Sequence, residues 1–412
     1  MTTEDTRVGG QPANAGTSRP VTRDFPLAPP GTMGPPREYA ELQRGCPIAR
    51  VRTPLGATAW YVTRYEDVRS LLADPRLIRP TINVWPPAES ADSSGPGLVT
   101  MMEMVGPRHR ALRRAVGEAF SARTVRSREG RIRQLAESIL NDFEKDGPPA
   151  DLVTGFAESF PLLVMCELVG IPYEERDFFL PLADAALGAL LTLEEGRRAT
   201  DRLRSYIAQL VARKQTEPAR DLLGELLRQR DDGELTQDDL ISFGLSMLVG
   251  GYRTSTMFIA NAVLVLLTRM EHLAVLRSDP GLLPSAVEEL LRFLPVMNGS
   301  VVLLAKEDIR LHGTTIRAGD AVLPIIPAAN RDATVFPDPD RLDLRRERNP
   351  HLAFGRGAHN CVGIHLARVE LTVALEALLD RFPNLRLAVA EHEVPWEDDS
   401  PSKSPVSLPV SW

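Results

Sequence analysis

Cysteine is scarce in this chain. Cys46, Cys166 and Cys361 are too few, and too irregularly spaced, for a disulfide framework or a metal finger. Such usage suits a reducing cytosol, and a cytoplasmic location is expected. A basic excess is also missing: 48 Lys and Arg stand against 55 Asp and Glu, a formal net charge of −7. No global positive field exists to recruit nucleic acid. Long uninterrupted hydrophobic runs are missing too. The longest, near residues 243–267, is broken by Arg253 and neighbouring Thr and Ser, so it reads as a buried core helix and not a membrane span. The opening MTTEDTRVGGQPANAGTSRPVTRD lacks the apolar stretch of a signal peptide. Its polar, Pro- and Gly-rich composition predicts a disordered segment over residues 1–34. No internal repeat is visible.

What is present fits a globular enzyme with many loops. Of 412 residues, 43% are hydrophobic and 25% charged, with 29 glycines and 34 prolines. Length alone would suggest two or three domains. Residues 50–63 (RVRTPLGATAWYVT) alternate around a Pro-Leu-Gly turn and predict a hairpin. Residues 80–100 are rich in Pro, Ser and Gly and predict a long loop, a frequent place for a functional lid. Val84 and Trp85 there are either pocket walls or packing of the loop onto the body. Cys166, within PLLVMCELVG, reads as core.

The most informative stretch is HLAFGRGAHNCVGIHLARVE, residues 351–370. It sets Cys361 in a glycine-rich loop that runs into an apolar-periodic helix. A helix N-terminus favours an anion, and the thiolate is the form of cysteine that binds metal. Phe354, Gly355, Gly357, His359, Cys361 and Gly363 together meet the pattern F-G-x-G-x-[HR]-x-C-x-G. This string resembles the haem-ligand loop of the cytochromes P-450, the haem-thiolate monooxygenases. The likeness runs in order from about residue 35 to the C-terminus. It is closest to compact, anchorless bacterial members, especially those of actinomycete secondary metabolism. It implies one mainly α domain with a small β-rich lobe, the cytochrome P-450 fold, over residues 35–412. It also implies haem b with Cys361 as the iron ligand, and a monomer off the membrane is expected.

Other strings support the resemblance. SAVEELLRF holds Glu289 and Arg292 at the spacing of the family's E-x-x-R pair, which one helix face can bring together. Arg341, in FPDPDRLDLRR, matches the arginine that completes the family's buried triad, although Leu342 stands where phenylalanine is common. GPRHRALRRAVGEAF matches the helix crossing one haem edge. There His109 and Arg113, one helical turn apart, are implied to bind haem propionates, with His359 as a third partner. Where most bacterial members have another propionate-binding arginine, this chain has Leu303.

The second departure lies in the helix that passes over the haem. The family usually shows [AG]-G-x-[DE]-T-[ST]; here the string is Gly250-Gly251-Tyr252-Arg253-Thr254-Ser255. Thr254 is retained and can hold a water on the oxygen side, and the two glycines leave room there. Arg253 replaces the acid that would feed protons, and an arginine stays protonated. Three readings are open for it, in order of preference: a structural ion pair, recognition of a substrate carboxylate or carbonyl, or the carboxylate anchor of a peroxygenase. Val296, Met297, Asn298 and Ser300, with Met247 and Gly250, are candidate pocket residues or ordinary packing.

The resemblance implies oxygen activation, with electrons passed from NAD(P)H through a separate ferredoxin and reductase. Arg108, Arg110, Arg113 and Arg114 form a basic face suited to an acidic ferredoxin. The substrate is expected to be a mid-sized natural-product molecule, hydroxylated or joined through a new C–C or C–N bond. The hairpin, the FGRG loop and the PVSLPVSW ending look somewhat like members acting on cyclic dipeptides. A peroxide-driven hydroxylase of a carboxylate-bearing substrate and a non-catalytic haem sensor are the alternatives.

Overall fold

The computed structural model describes residues 22–25, 33–53, 56–80, 100–187, 193–217, 219–231, 233, 235–296, 301–396 and 403–412. Val84, Trp85, Met297, Asn298 and Ser300 lie outside the described residues. Helices dominate, and the strands gather beside them. The largest sheet has six strands among the described residues, in the order Thr22–Asp24, Ile48–Arg52, Thr58–Val62, Ala321–Pro324, Leu303–Ala305 and Leu77–Ile78. The hairpin expected over residues 50–63 forms, with Ile48 opposite Val62 and Arg50 opposite Trp60. This is the mainly α architecture with a small β-rich lobe that the sequence predicts.

Local signals explain where the helices begin. Thr236 caps the helix Gln237–Gly250 in a capping box with Asp239, satisfying two backbone donors at once. Pro107 opens the helix Gly106–Gly117, where its missing N–H costs nothing. The helices Gln237–Gly250, Arg253–Thr268, Leu283–Phe293 and Ile364–Arg381 share one large apolar core. No single helix among the described residues is long and apolar enough to cross a membrane.

Two expectations need correction. Residues 1–34 are not all disordered: Thr22–Asp24 pairs in parallel with Ile48–Arg52, and the Phe25 ring packs edge-on against Tyr61 at 5.4 Å. Residues 1–21 lie outside the described residues. The run 243–267 is not one helix either. It breaks at Gly251–Tyr252, where Gly251 N–H still donates to Met247 O at 2.8 Å but Tyr252 leaves helical geometry. A Gly-Gly pair is a weak helix former and a common kink site. The Thr256 hydroxyl donates to Tyr252 O at 3.2 Å and seats the new first turn.

Candidate haem and oxygen site

The Cys361 loop is closed by its own backbone. Gly355 N–H donates to Leu352 O at 2.8 Å, and Cys361 N–H donates to Phe354 O at 2.8 Å. Gly357 has φ of 80° and faces residues 72–73 so closely that a Cβ would lie 2.7 Å from Leu72 O. Only glycine meets both demands. Gly363 precedes the helix Ile364–Arg381, and its N–H bonds to the Cys361 sulfur. Burial raises the Cys361 thiol, while that N–H and Arg113 lower it. The Cys361 residue keeps open surface although protein atoms crowd its sulfur; Cys166 is buried outright, and burial pushes its thiol up to about 12. Phe354, whose carbonyl accepts the Cys361 N–H, is half-buried, with the Arg368 guanidinium 5.0 Å from its ring centre.

Beside the loop sits a cationic cluster. The buried His109 ring stacks on His359 with centroids 4.4 Å apart. Arg113 Nη2 donates to Asn360 Oδ1 at 2.7 Å, tying the 106–117 helix to the loop. Burial lowers the pKa of His109, Arg113 and His359, the last to about 4. The next cause for His359 is the nearby charge of Arg79, which also acts on His109. Sequence reasoning missed Arg79 and Asn360. Arg108 is salt-bridged to Asp239, so the expected basic face reduces mainly to exposed Arg110 and Arg114.

The E-x-x-R pair is fully buried. Glu289 and Arg292 have no exposed side-chain surface and meet through two bonds of 2.8 Å. The third member differs from expectation. Arg346 Nε donates to Glu289 Oε2 at 3.0 Å, whereas exposed Arg341 contributes its backbone carbonyl to Arg292 at 3.2 Å. A turn in the segment 337–346 brings Arg346 back over the carboxylate, and one string of arginines carries no signal of which one turns inward. Leu342 is buried and serves as packing.

On the oxygen-side helix, Arg253 Nη1 lies 3.7 Å from Asp184 Oδ1, and the Tyr252 hydroxyl donates to the same oxygen at 3.5 Å. Burial raises the Asp184 carboxyl, with Arg253 opposing. The first reading of Arg253 thus finds its acid. Thr254 is exposed in the first turn of the 253–268 helix. Gly251 sits at the break, where a Cβ would come within 2.5 Å of Met247 O. A Cβ on Gly250 would meet the Met102 side chain in ordinary contact, its sulfur at 3.6 Å and its methyl at 4.0 Å. Met247 is buried and Val296 half-buried.

The adjacent hydroxyl leads to a residue not singled out from sequence. Ser255 Oγ donates to Glu370 Oε2 at 3.2 Å, and Glu370 is 2% exposed. Its signal is an acid within the apolar run LARVELTVAL. Burial pushes its carboxyl up to about 8, with Ser255 opposing. Below about pH 4.3, where the unfolded carboxyl is protonated, this group costs the fold nothing in charge burial. As pH rises toward 8, the unfolded form ionises first and stability falls by about 1.4 kcal/mol per pH unit. Glu370→Gln is therefore expected to flatten stability between pH 5 and 8 and to melt higher than wild type at pH 8. Thermal melts across that range check this; parallel wild-type and variant slopes contradict it.

The donor set fits haem. One thiolate in a glycine-built loop leaves iron needing ligands that a porphyrin supplies, and the neighbouring cations match its two carboxylates. The Cytochrome P450 family model matches residues 191–402. The nocardicin C N-oxygenase of Nocardia uniformis subsp. tsuyamanensis is 41% identical over 404 residues, covering 96% of this chain and 100% of that protein. The mycinamicin IV hydroxylase/epoxidase of Micromonospora griseorubida is 42% identical, over 91% of this chain and 94% of that protein. The crystal structure of the LnmA cytochrome P450 hydroxylase, from the leinamycin pathway of Streptomyces atroolivaceus, is 42% identical with a TM-score of 0.84, covering 95% of this chain and all of that one. With this loop, this fold and these relatives, the chain belongs to the cytochrome P450 family.

Proposed function

We propose that this cytochrome P450 monooxygenase of secondary metabolism hydroxylates a mid-sized organic substrate or closes a C–C or C–N bond in it. Cyclic dipeptides are the first class to test. The enzyme is proposed to work as a cytoplasmic monomer, away from membrane and nucleic acid. Electrons would arrive from NAD(P)H through a ferredoxin and its reductase, the ferredoxin docking near Arg110 and Arg114. The relatives support a tailoring role by their names: one is an N-oxygenase of nocardicin C, another a hydroxylase and epoxidase of mycinamicin IV. Different outcomes on similar chains leave the reaction to be read from products.

When bound, haem with a thiolate ligand supplies oxygen activation. Cys361 would hold the iron, and the Gly363 N–H would tune the sulfur. His109, Arg113 and His359 would hold the propionates. Thr254 would keep a water at the helix break. The observation that carries the choice of an oxygenase is the pairing of Arg253 with Asp184. An arginine already engaged by an acid is a poor anchor for a substrate carboxylate, which disfavours the peroxygenase alternative.

Mass spectrometry of a natural-product panel, including tryptophan-containing cyclic dipeptides, tests the reading. Ferredoxin, reductase and NADPH should give a product altered by one oxygen or by loss of two hydrogens. Turnover of carboxylates with peroxide alone would favour the peroxygenase, and ligand-dependent spectra without product would favour a sensor. Two variants should also fail differently. Arg253→Ala frees Asp184 and should lower the melting temperature while retaining coupling. Thr254→Ala should melt like wild type and release peroxide in place of product. Peroxide release from Arg253→Ala at the level of Thr254→Ala would place Arg253 in proton delivery and contradict its structural role.

A further inference from the structure

Beside the Cys361 loop, two arginines and two histidines gather in one place. His109 and His359 stack with centroids 4.4 Å apart, Arg113 is tied to Asn360 of the same loop at 2.7 Å, and Arg79 lies near enough for its charge to act on both histidines. Glu103 is the acid that acts on Arg79. Gathering cations in a half-buried place is unfavourable unless an anion is meant to sit among them.

The position of Arg79 says which anion. It immediately follows the edge strand Leu77–Ile78, which pairs antiparallel with Leu303–Ala305. The register sets Leu77 opposite Ala305 and Ile78 opposite Leu304. Continued by one residue, it sets Arg79 opposite Leu303. Directly opposed residues on antiparallel strands project to the same face, with Cβ atoms about 5 Å apart. Leu303 is the buried position where the likeness to bacterial P450s would have placed a propionate-binding arginine.

We propose that Arg79 binds a haem propionate, supplying from the neighbouring strand the cation that position 303 lacks. A guanidinium offers a planar pair of donors that suits a carboxylate. With His109, Arg113 and His359 it completes a cradle for two carboxylates. The assignment rests on the haem reading given above, and it makes Arg79 a cofactor-binding residue.

The test is haem retention, independent of turnover. Haem-loaded wild type, Arg79→Leu, the double variant Arg79→Leu/Leu303→Arg and Glu103→Gln are each mixed with excess apomyoglobin, and transfer is followed in the Soret region. Arg79→Leu should release haem roughly ten- to a hundredfold faster, as expected for loss of one charged hydrogen bond. The double variant should recover most of the retention, because the cation returns to the same face from the opposite strand. Glu103→Gln should release haem near the wild-type rate. A wild-type rate in Arg79→Leu overturns the proposal. So does fast release shared by Arg79→Leu, Glu103→Gln and the double variant, which would make Arg79 and Glu103 a structural pair. Should wild type bind no haem at all, the family-level reading fails instead, so the two failures are distinct.

Discussion

Glu289→Ala is expected to give a chain that folds poorly or purifies without haem. The Glu289 carboxylate accepts two bonds from Arg292, one from Arg346 Nε at 3.0 Å, one from Asn349 Nδ2 at 3.1 Å and one from Asp343 N–H at 2.9 Å. Its removal strands Arg292, which has no exposed side-chain surface, and Arg346, which has 8%. Breaking a buried pair this way costs about 3–5 kcal/mol, a large part of the roughly 5–15 kcal/mol that holds a typical protein together. The damage reaches the ligand loop. Arg292 Nη1 donates to Asn330 O at 2.9 Å, and the Asn330 side chain accepts from Leu352 N–H at 2.8 Å, two residues before Phe354.

The arginine series separates this account from a simpler one. Arg346→Ala should be clearly destabilising, since it removes a nearly buried guanidinium from the carboxylate. Arg341→Ala should be mild, because an exposed side chain is lost and the backbone carbonyl stays. Soluble yield, haem-to-protein ratio and urea midpoints measure all three variants. A fully loaded Glu289→Ala protein with the wild-type midpoint would show that the network contributes little.

Much of the local structure around the candidate site was legible because it is set by short strings. Gly357 is needed where a Cβ would strike residues 72–73, and Cys361 is identified by the residues around it. Helix spacing brought Glu289 to Arg292 for the same local reason. What escaped depends on contacts distant in sequence. Arg79 is placed by strand pairing 226 residues away in register, Ile78 with Leu304, and its charge reaches both histidines. Glu370 meets Ser255 across two packed helices. Arg346 and Arg341 belong to one string, and only the path of the turn decides which side chain enters the core. The strand at Thr22–Asp24 was hidden because polar composition describes a segment's average and not the one sheet edge it can join.

Cys361→Ala is expected to have an all-or-none effect on haem-thiolate ligation. No other described cysteine can take over: the Cys166 thiol is buried and held up at about 12, and Cys46 is half-buried next to the sheet. Without the sulfur, the loop keeps its Cys361-position N–H bond to Phe354 O but has no anion to offer a metal. Cys46→Ala and Cys166→Ala should leave ligation intact, although Cys166→Ala opens a small space in the core.

The most direct measurement is the absorption spectrum of the haem-reconstituted protein after reduction and carbon monoxide binding, for wild type and the three cysteine variants. The account predicts the strongly red-shifted Soret band of thiolate ligation in wild type, Cys46→Ala and Cys166→Ala, and its loss in Cys361→Ala. Retention of that band in Cys361→Ala, or its absence from a well-folded, haem-loaded wild type, would contradict the assignment of Cys361 as the iron ligand.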